Sequence, residues 1–429
     1  VVGEEMKLAS YWLDTSEPFN QSASTPLEGR YDVAVIGGGL TGSSAALALA
    51  KKGARVALLE ATTIGNAASG RNGGMCNNGF AQNYAVMTDR FGQEKANAIY
   101  KAFDAGVDMV ERLVQEEGID CSFARVGKLK LAAKPEHYDM LARSQELLAA
   151  NVDPETRLID RADLHSEVGT DRYYGGLLFP KSANMHVGRY VRGLATAAAR
   201  RGADVYEYAP AMALREVDRG HAVETPKGRI HARQVLLASG ISQVGPLGWI
   251  RRRIVPIGAF LIVTEPLSPA QVARLMPTGR NVVDTRNLVV YWRLTPDNRL
   301  LFGGRARFAG SNPQSDEKSG RILKAAMADV FPELANTRVD YCWGGLVDMT
   351  RDRLPRAGER NGIYYSMGYS GHGTQMATLM GGVMADVMDG RPYLNPWKDF
   401  DWPAIPGYFG RPWFLPVLGA YYRMKDLVT

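Results

Sequence analysis

The sequence predicts an α/β fold, and three observations carry that prediction. Residues 31–74 read YDVAVIGGGLTGSSAALALAKKGARVALLEATTIGNAASGRNGG: apolar run, glycine turn, alanine-rich run, second apolar run. Short strand-like runs then alternate with helical patterns over most of the remaining chain. The composition, 45% hydrophobic and 22% charged over 429 residues, is globular and long enough for two or three domains.

Taken in order, residues 1–30 read as an arm. Tyr11, Trp12 and Phe19 are placed to pack on the body, and residues 22–26 read as loop. Residues 32–36 are mostly β-branched and predict a buried strand. Residues 43–52 predict a helix stopped at Gly53, and residues 55–59 a second strand ending at Glu60. Residues 85–150 read largely as helix, for example 95–117, with a short strand at 128–132. Residues 163–188 are turn-rich, and 189–201 predict a helix. Two strands are expected within 205–224, and another over 229–239 that ends at Gly240. Strands follow at 255–264, 288–294 and 300–304, with Asp297-Asn298 as a polar turn. A helix is expected over 320–330. Residues 363–367 predict a strand, GYSGHG a loop, and 374–388 a helix. The tail, 391–429, is rich in proline and aromatics. Its PWFLPVLGAYY stretch reads as a packed arm, or as a subunit or membrane-surface contact.

The glycine turn carries chemistry. Gly37, Gly39 and Gly42 form G-x-G-x-x-G around Leu40 and Thr41, between a predicted strand and helix. The first glycine permits the tight turn, the second a close backbone approach to a pyrophosphate, and the third close helix–strand packing. Free N–H groups at the helix start then face the phosphates. Glu60 sits at the ribose position, where an acid favours an unphosphorylated ribose. Ser239 and Gly240 are a second candidate approach to the dinucleotide.

Several classes are disfavoured. Net charge is only +6, and the densest basic run, Arg251 to Arg253, is too short for a nucleic-acid surface. Three scattered cysteines and six histidines make no metal motif, and the odd thiol count fits a reducing cytoplasm. The opening VVGEEMKLASYWLD has early acids and no long apolar core, so no secretory signal is expected. Residues 361–385 lack charged groups, yet glycines and polar residues interrupt them; no transmembrane segment is expected.

Three segments together resemble the glycine and sarcosine oxidase group of the D-amino-acid oxidase superfamily. They are the fingerprint with Glu60, the loop ASGRNGG (68–74), and the pair WGGLVDMTRDRLPRAG (343–358) with GYSGHGTQ (368–375). YWRLTPDNRLLFGG (291–304) is similar to the gamma-glutamylputrescine oxidase branch. The resemblance implies a Rossmann-like FAD-binding domain interleaved with an α+β substrate domain that carries an antiparallel sheet. The expected division is 31–84, 165–246 and 340–390 for FAD, and 85–164 and 247–339 for substrate. The expected cofactor-binding set is Gly37, Gly39, Leu40, Thr41, Gly42, Glu60, Ala61, Ser69, Arg71, Asn72, Gly73, Gly74, Met75, Ala211, Ser239, Gly240, Gly371, His372, Gly373, Thr374 and Gln375.

The candidate catalytic residues are His372, Tyr291 and Arg293. His372 reads equally as a helix cap. Tyr291, Trp292 and Met75 read as pocket walls or as core. Departures from the family are informative. Gly345 stands where sarcosine oxidases attach flavin through cysteine, so FAD is expected to be non-covalent. Val347 and Gln375 replace the family's two carboxylate-binding cations. Arg293 and Arg305 are candidate substitutes, or structural arginines, and Asp348 could meet a cationic amine. The implied activity is oxidation of an amine carbon–nitrogen bond by hydride transfer to the flavin, giving an imine that water hydrolyses. The acceptor is molecular oxygen or an electron carrier. A flavoprotein relay subunit working with a partner, and a nicotinamide-linked dehydrogenase, are the rival readings.

Overall fold

The structure is a computed structural model that describes residues 6–241, 248–304, 313–410 and 412–428. Arg305, one of the two substitute arginines, lies outside the described residues. The strand Leu27–Ile36 is the centre of the first sheet. Its order is Arg356–Arg360, Ile363–Met367, Gly228–Leu237, Leu27–Ile36, Val56–Leu59, Asp204–Tyr206, with the hairpin Ala213–Val217/Gly220–Thr225 added on Gly228–Leu237. The four central pairings are parallel. Parallel neighbours need crossovers, and the helix Leu40–Lys51 supplies the first. That helix packs against Val187–Arg200 and Gly373–Met388. A Cβ at Gly381 would lie 2.6 Å from the Thr41 carbonyl oxygen, so glycine sets the close approach of two helices there.

The second sheet runs Val339–Met349, Val255–Pro266, Arg299–Gly304, Val290–Leu294, Asn281–Asp284, Lys128–Leu131, Gly175–Phe179, Arg157–Asp160. Only the Asn281–Asp284/Lys128–Leu131 pairing is parallel. Its register makes two opposite faces. Leu178, Leu129, Val282, Trp292, Phe302, Ile262 and Cys342 lie side by side, and all belong to one apolar core. One residue along, Leu177, Lys130, Val283, Tyr291, Gly303, Leu261 and Trp343 form the adjoining row. Successive side chains point to opposite faces, so this second row faces the first sheet. Leu177, Leu261 and Trp343 accordingly share a core with Val35 and Leu40.

Gly175–Phe179 and Val339–Met349, which the expected division places in the FAD-binding unit, are strands of the second sheet. The C-terminal stretch is a helix, Leu415–Val428. Leu415 and Tyr408 are buried, whereas Trp413, Val417, Tyr421 and Met424 are exposed.

The N-terminal arm is anchored as its aromatics predict, with Trp12 fully buried and Tyr11 and Phe19 nearly so. Trp12 packs edge-on against His186, which caps Val187–Arg200 by accepting from the Arg189 N–H at 3.3 Å. Burial, with Arg189 next, pushes His186 down to about 4. The unfolded chain then binds more protons than the folded one below about pH 6.5, so this group's contribution falls as pH falls from there to 4. The loss should reach roughly 3 kcal/mol. His186→Asn preserves a capping acceptor. Its urea midpoint should therefore drop less than that of the native protein between pH 7 and pH 4; parallel drops would contradict this assignment.

Candidate functional site

The glycine turn closes on the neighbouring strand. Gly37 has φ +112°, and a Cβ there would lie 2.7 Å from the Ala238 carbonyl oxygen. At Gly42 a Cβ would lie 1.8 Å from the Gly37 oxygen, which fixes the helix against the strand. At Gly39 it would meet Ser69 Oγ at 2.7 Å. Gly39 is the helix N-cap and offers no side chain to the first-turn donors. Ser69 Oγ accepts from the Leu40 N–H at 2.9 Å, tying the second loop to the helix start. Thr41 reaches the Tyr369 hydroxyl at 2.8 Å, which joins this helix to GYSGHG.

Glu60 sits beside the turn. Its Oε2 accepts from the Gly38 N–H at 2.7 Å and its Oε1 from the Thr62 N–H at 2.8 Å. An ionised carboxylate has further lone pairs, so both bonds leave room for ribose hydroxyls. Ala61 follows on the surface, and Ala211 is buried in the cluster that holds Ala57 and Leu59. Ser239, next to Gly37, keeps a buried Oγ with no partner among the described residues. Gly240 has φ +58°. A narrow glycine cradle, a helix start with free donors and an orphaned hydroxyl fit the diphosphate end of FAD.

The loop 68–74 is fixed from both sides. Trp12 Nε1 donates to the Asn72 oxygen at 2.7 Å, Ser10 Oγ to that of Gly70 at 2.6 Å, and Trp343 Nε1 to that of Arg71 at 2.9 Å. Arg71 donates to the Asn66 and Gly344 oxygens, both at 3.0 Å. Asn72 Nδ2 donates to Ala68 and Ser69, and its Oδ1 accepts from the Gly74 N–H. Gly73 faces Tyr291 and Met75, so Tyr291 stands over the loop.

The other predictions divide. Trp292 is a core residue, stacked on Phe302 at 5.7 Å, because it is one position out of register with Tyr291. Arg293 is 3% exposed and is spent on the backbone. It donates to the oxygens of Gly74, of Met185 at 2.8 Å and of Leu294 at 2.9 Å, with no carboxylate paired to it among the described residues. Burial pushes it down to about 9. That geometry assigns it to holding the loop, not to meeting a substrate. Val347 packs against an apolar cluster of Val255, Ile257, Met349, Tyr408 and Leu415. Asp348 accepts from the Gly368 N–H at 2.6 Å, and burial raises it to about 6.

Cys342 lies on the far face from Trp343, in the second core, with Sγ 3.2 Å from the Asp316 oxygen. Neither it nor Gly345 offers a thiol to the loop, which fits FAD held without a covalent bond. Cys76 and Cys121 are buried too.

GYSGHG ends at the helix Gly373–Met388, whose first turn has no side-chain cap. Ser370 and Gly371 take φ +54° and +92° and turn the chain into it. Gln375 donates to the Asn77 oxygen, and Thr374 is buried. The His372 ring meets Phe103 edge-on at 5.7 Å, and its Nδ1 is buried without a partner among the described residues. Burial first, then the positive charge of Lys128, pushes His372 down to about 3, so the imidazole is neutral at ordinary pH.

Sequence reasoning missed Lys128, Lys130 and Arg353, whose charges meet around His372. The alternation in KLKL was a signal for a two-faced strand, but not for what covers its polar face. Among the described residues no group of His, Cys, Asp or Glu is placed to hold a metal, and no helix is long and apolar enough to cross a membrane.

Known proteins resemble the chain over most of its length. The family model described as "DAO: FAD dependent oxidoreductase" matches residues 32–387. "Probable oxidoreductase OrdL" of Haemophilus influenzae is 34% identical over 89% of this chain and 88% of its own length. "Gamma-glutamylputrescine oxidoreductase" of Escherichia coli is 32% identical over 92% of each chain. In fold, the glycine oxidase of Geobacillus kaustophilus superposes with a TM-score of 0.71 at 23% identity, covering 89% of this chain and 99% of that one.

Proposed function

Because the chain belongs to the DAO family of FAD-dependent oxidoreductases, we propose that it oxidises an amine carbon–nitrogen bond, with a gamma-glutamylputrescine-like or N-methylated amine as substrate. The observation that carries this reading is the similarity, over 92% of both chains, to a protein named gamma-glutamylputrescine oxidoreductase. Bound FAD supplies the two-electron acceptor for hydride leaving the carbon next to nitrogen. The residues holding it are the glycine cradle with Glu60, the loop 68–74 and the GHG helix start.

The chain's own groups orient and desolvate. Tyr291 and Trp343 stand against loop 68–74, and neutral His372 packs edge-on against Phe103 at the GHG helix start. First-turn N–H groups of Gly373–Met388 are donors already aimed where negative charge would develop. No side-chain base is required when the amine binds neutral. The imine product is then hydrolysed by water to an aldehyde and an amine or ammonia. Val347, in an apolar cluster, offers nothing to an α-carboxylate, which disfavours a small α-amino acid held at that point.

An oxidase is the favoured form, with oxygen as acceptor. Exposed Phe409, Trp413, Val417 and Met424 favour a second reading, in which electrons leave through a partner docked on the C-terminal arm. An anaerobic titration at the flavin absorption bands tests both. Gamma-glutamylputrescine and N-methylated amines should bleach the flavin, and 2-hydroxy acids should not. Colour returning in air at a rate matching turnover supports an oxidase. Slow return, with turnover restored by an artificial dye acceptor, supports the relay reading. No bleaching by any amine would overturn the amine reading.

A further inference from the structure

The C-terminal arm is anchored to the body, yet it displays large apolar side chains to solvent. Ile405 donates its N–H to the Arg252 oxygen at 2.8 Å, and the Tyr408 hydroxyl donates to that of Ile254 at 2.9 Å. Tyr408 and Leu415 are buried in one cluster with Val255, Ile257 and Met349. In the helix Leu415–Val428, the buried positions Leu415 and Gly419 are one turn apart. Val417, Tyr421 and Met424 follow the i, i+4, i+7 spacing of a single stripe. At 3.6 residues per turn that stripe lies opposite Leu415 and Gly419. With Phe409 and Trp413, which precede the helix, it makes five large apolar side chains that are 51% to 74% exposed.

Charge frames the stripe. Arg252 lies over the Phe409 ring at 4.8 Å, and a Cβ at Gly410 would lie 3.6 Å from that of Arg251. Exposed Lys425 follows Met424. The sequence adds Arg411 and Arg423, and neither 402–425 nor 225–264 contains an aspartate or glutamate. The two segments that meet here therefore bring cations and aromatics but no carboxylate.

We propose that the C-terminal arm docks the protein on an anionic phospholipid surface. Phe409, Trp413 and the stripe Val417, Tyr421 and Met424 enter the headgroup boundary, and the flanking arginines and Lys425 meet lipid phosphates. An apolar, aromatic helix face with cations beside it is what an interfacial helix needs. At 14 residues the helix is about 21 Å long, short of the roughly 30 Å hydrocarbon core, so it lies along the surface. A second copy of the chain fits less well. A two-fold contact would set this surface on itself, arginine against arginine. Docking is independent of the electron acceptor, so an oxidase and a relay protein would bind alike.

The test floats the FAD-loaded full chain with vesicles at about 0.15 M salt. One set contains phosphatidylglycerol and phosphatidylcholine in equal parts, the other phosphatidylcholine alone. Binding to the anionic set should be about tenfold tighter or more, and should weaken as salt rises. Trp413→Ser combined with Val417→Ser leaves the net charge unchanged and should weaken binding about 30-fold or more. Arg252→Gln should weaken it about fivefold. Leu147→Ser, at an exposed apolar position on the helix Pro135–Asn151, should change nothing. Equal binding by the double serine variant and the native chain would reduce the interaction to net charge and overturn the proposal. Equal binding to both vesicle sets would overturn the anionic requirement. Binding to neither would overturn docking on lipid altogether. A dimer abolished by Val417→Ser would then name a second copy as the occupant, and a persistent monomer would leave the arm to an acidic protein partner. Should the double variant not load FAD, Val417→Ser alone carries the comparison.

Discussion

Gly42→Val is expected to give a colourless protein. A single Cβ at this position would stand 1.8 Å from the Gly37 carbonyl oxygen, well inside any contact distance. Neither neighbour can yield cheaply. Gly37 is itself pinned, with φ +112° and only 2.7 Å between its own would-be Cβ and the Ala238 oxygen. The helix Leu40–Lys51 is pressed from behind by Gly373–Met388, where Gly381 leaves no slack. The helix start must therefore lift off the strand, and its free N–H groups lose their common aim. FAD affinity should fall by more than about 100-fold, since the backbone donors it needs are no longer assembled. Overpacking should cost about 1–3 kcal/mol in stability as well. The ratio of visible flavin absorbance to protein absorbance after purification reads the first effect, and urea unfolding reads the second. Gly248→Ala is the control, because nothing lies within 4 Å of a Cβ there, and it should stay yellow. A yellow Gly42→Val protein with native FAD content would remove the glycine turn from the cofactor site.

Arg293→Met is expected to be among the most destabilising single changes in the second sheet. The native guanidinium satisfies the buried oxygens of Gly74 and Met185 and also that of Leu294, and stands 5.4 Å from the Trp12 ring. Methionine fills part of the volume and donates nothing. The Gly74 oxygen keeps the Met185 N–H at 2.9 Å, whereas the Met185 oxygen loses its donor, which costs about 1–3 kcal/mol. That is a sizeable part of the about 5–15 kcal/mol that holds an ordinary domain. Because Gly74 closes the loop 68–74, FAD retention should fall with it. Arg293→Lys should recover only part, since one ammonium cannot reproduce the fork of donors. The discriminating result is the pairing of readouts. A lowered urea midpoint with proportionate loss of FAD supports the structural role. A native midpoint combined with a raised KM for acidic substrates would return Arg293 to the substrate.

Much of the architecture around the nucleotide was legible in the chain itself. The order strand, G-x-G-x-x-G, helix, strand, acid is local, and each step has a short-range cause: β-branching, glycine conformations, alanine-rich helix formation, a stop at Gly53. The strand Ile363–Met367 and the helix Gly373–Met388 were readable for the same reason. The tail was legible only in part. Its aromatics signalled packing, but hydrophobicity alone does not say which face of Leu415–Val428 finds a partner.

By itself, then, the sequence determined the α/β class, the dinucleotide turn with Glu60, and the absence of a flavin-attaching cysteine at Gly345. These are statements about neighbours along the chain. Only the tertiary structure decided what the second sheet's faces do. Tyr291 and Trp292 are adjacent and equally aromatic, yet one stands over the loop and the other is core. Side chains alternate with a period of two, and register assigns the faces. The lock on Arg71 comes from Trp343, 272 positions away, and that on Asn72 from Trp12, 60 away. Lys128 and Lys130, far from Arg353 in sequence, join it in bringing their charges to bear on His372. What surrounds a charge on a strand face is set by the elements that fold over it, so these neighbours are not legible along the chain.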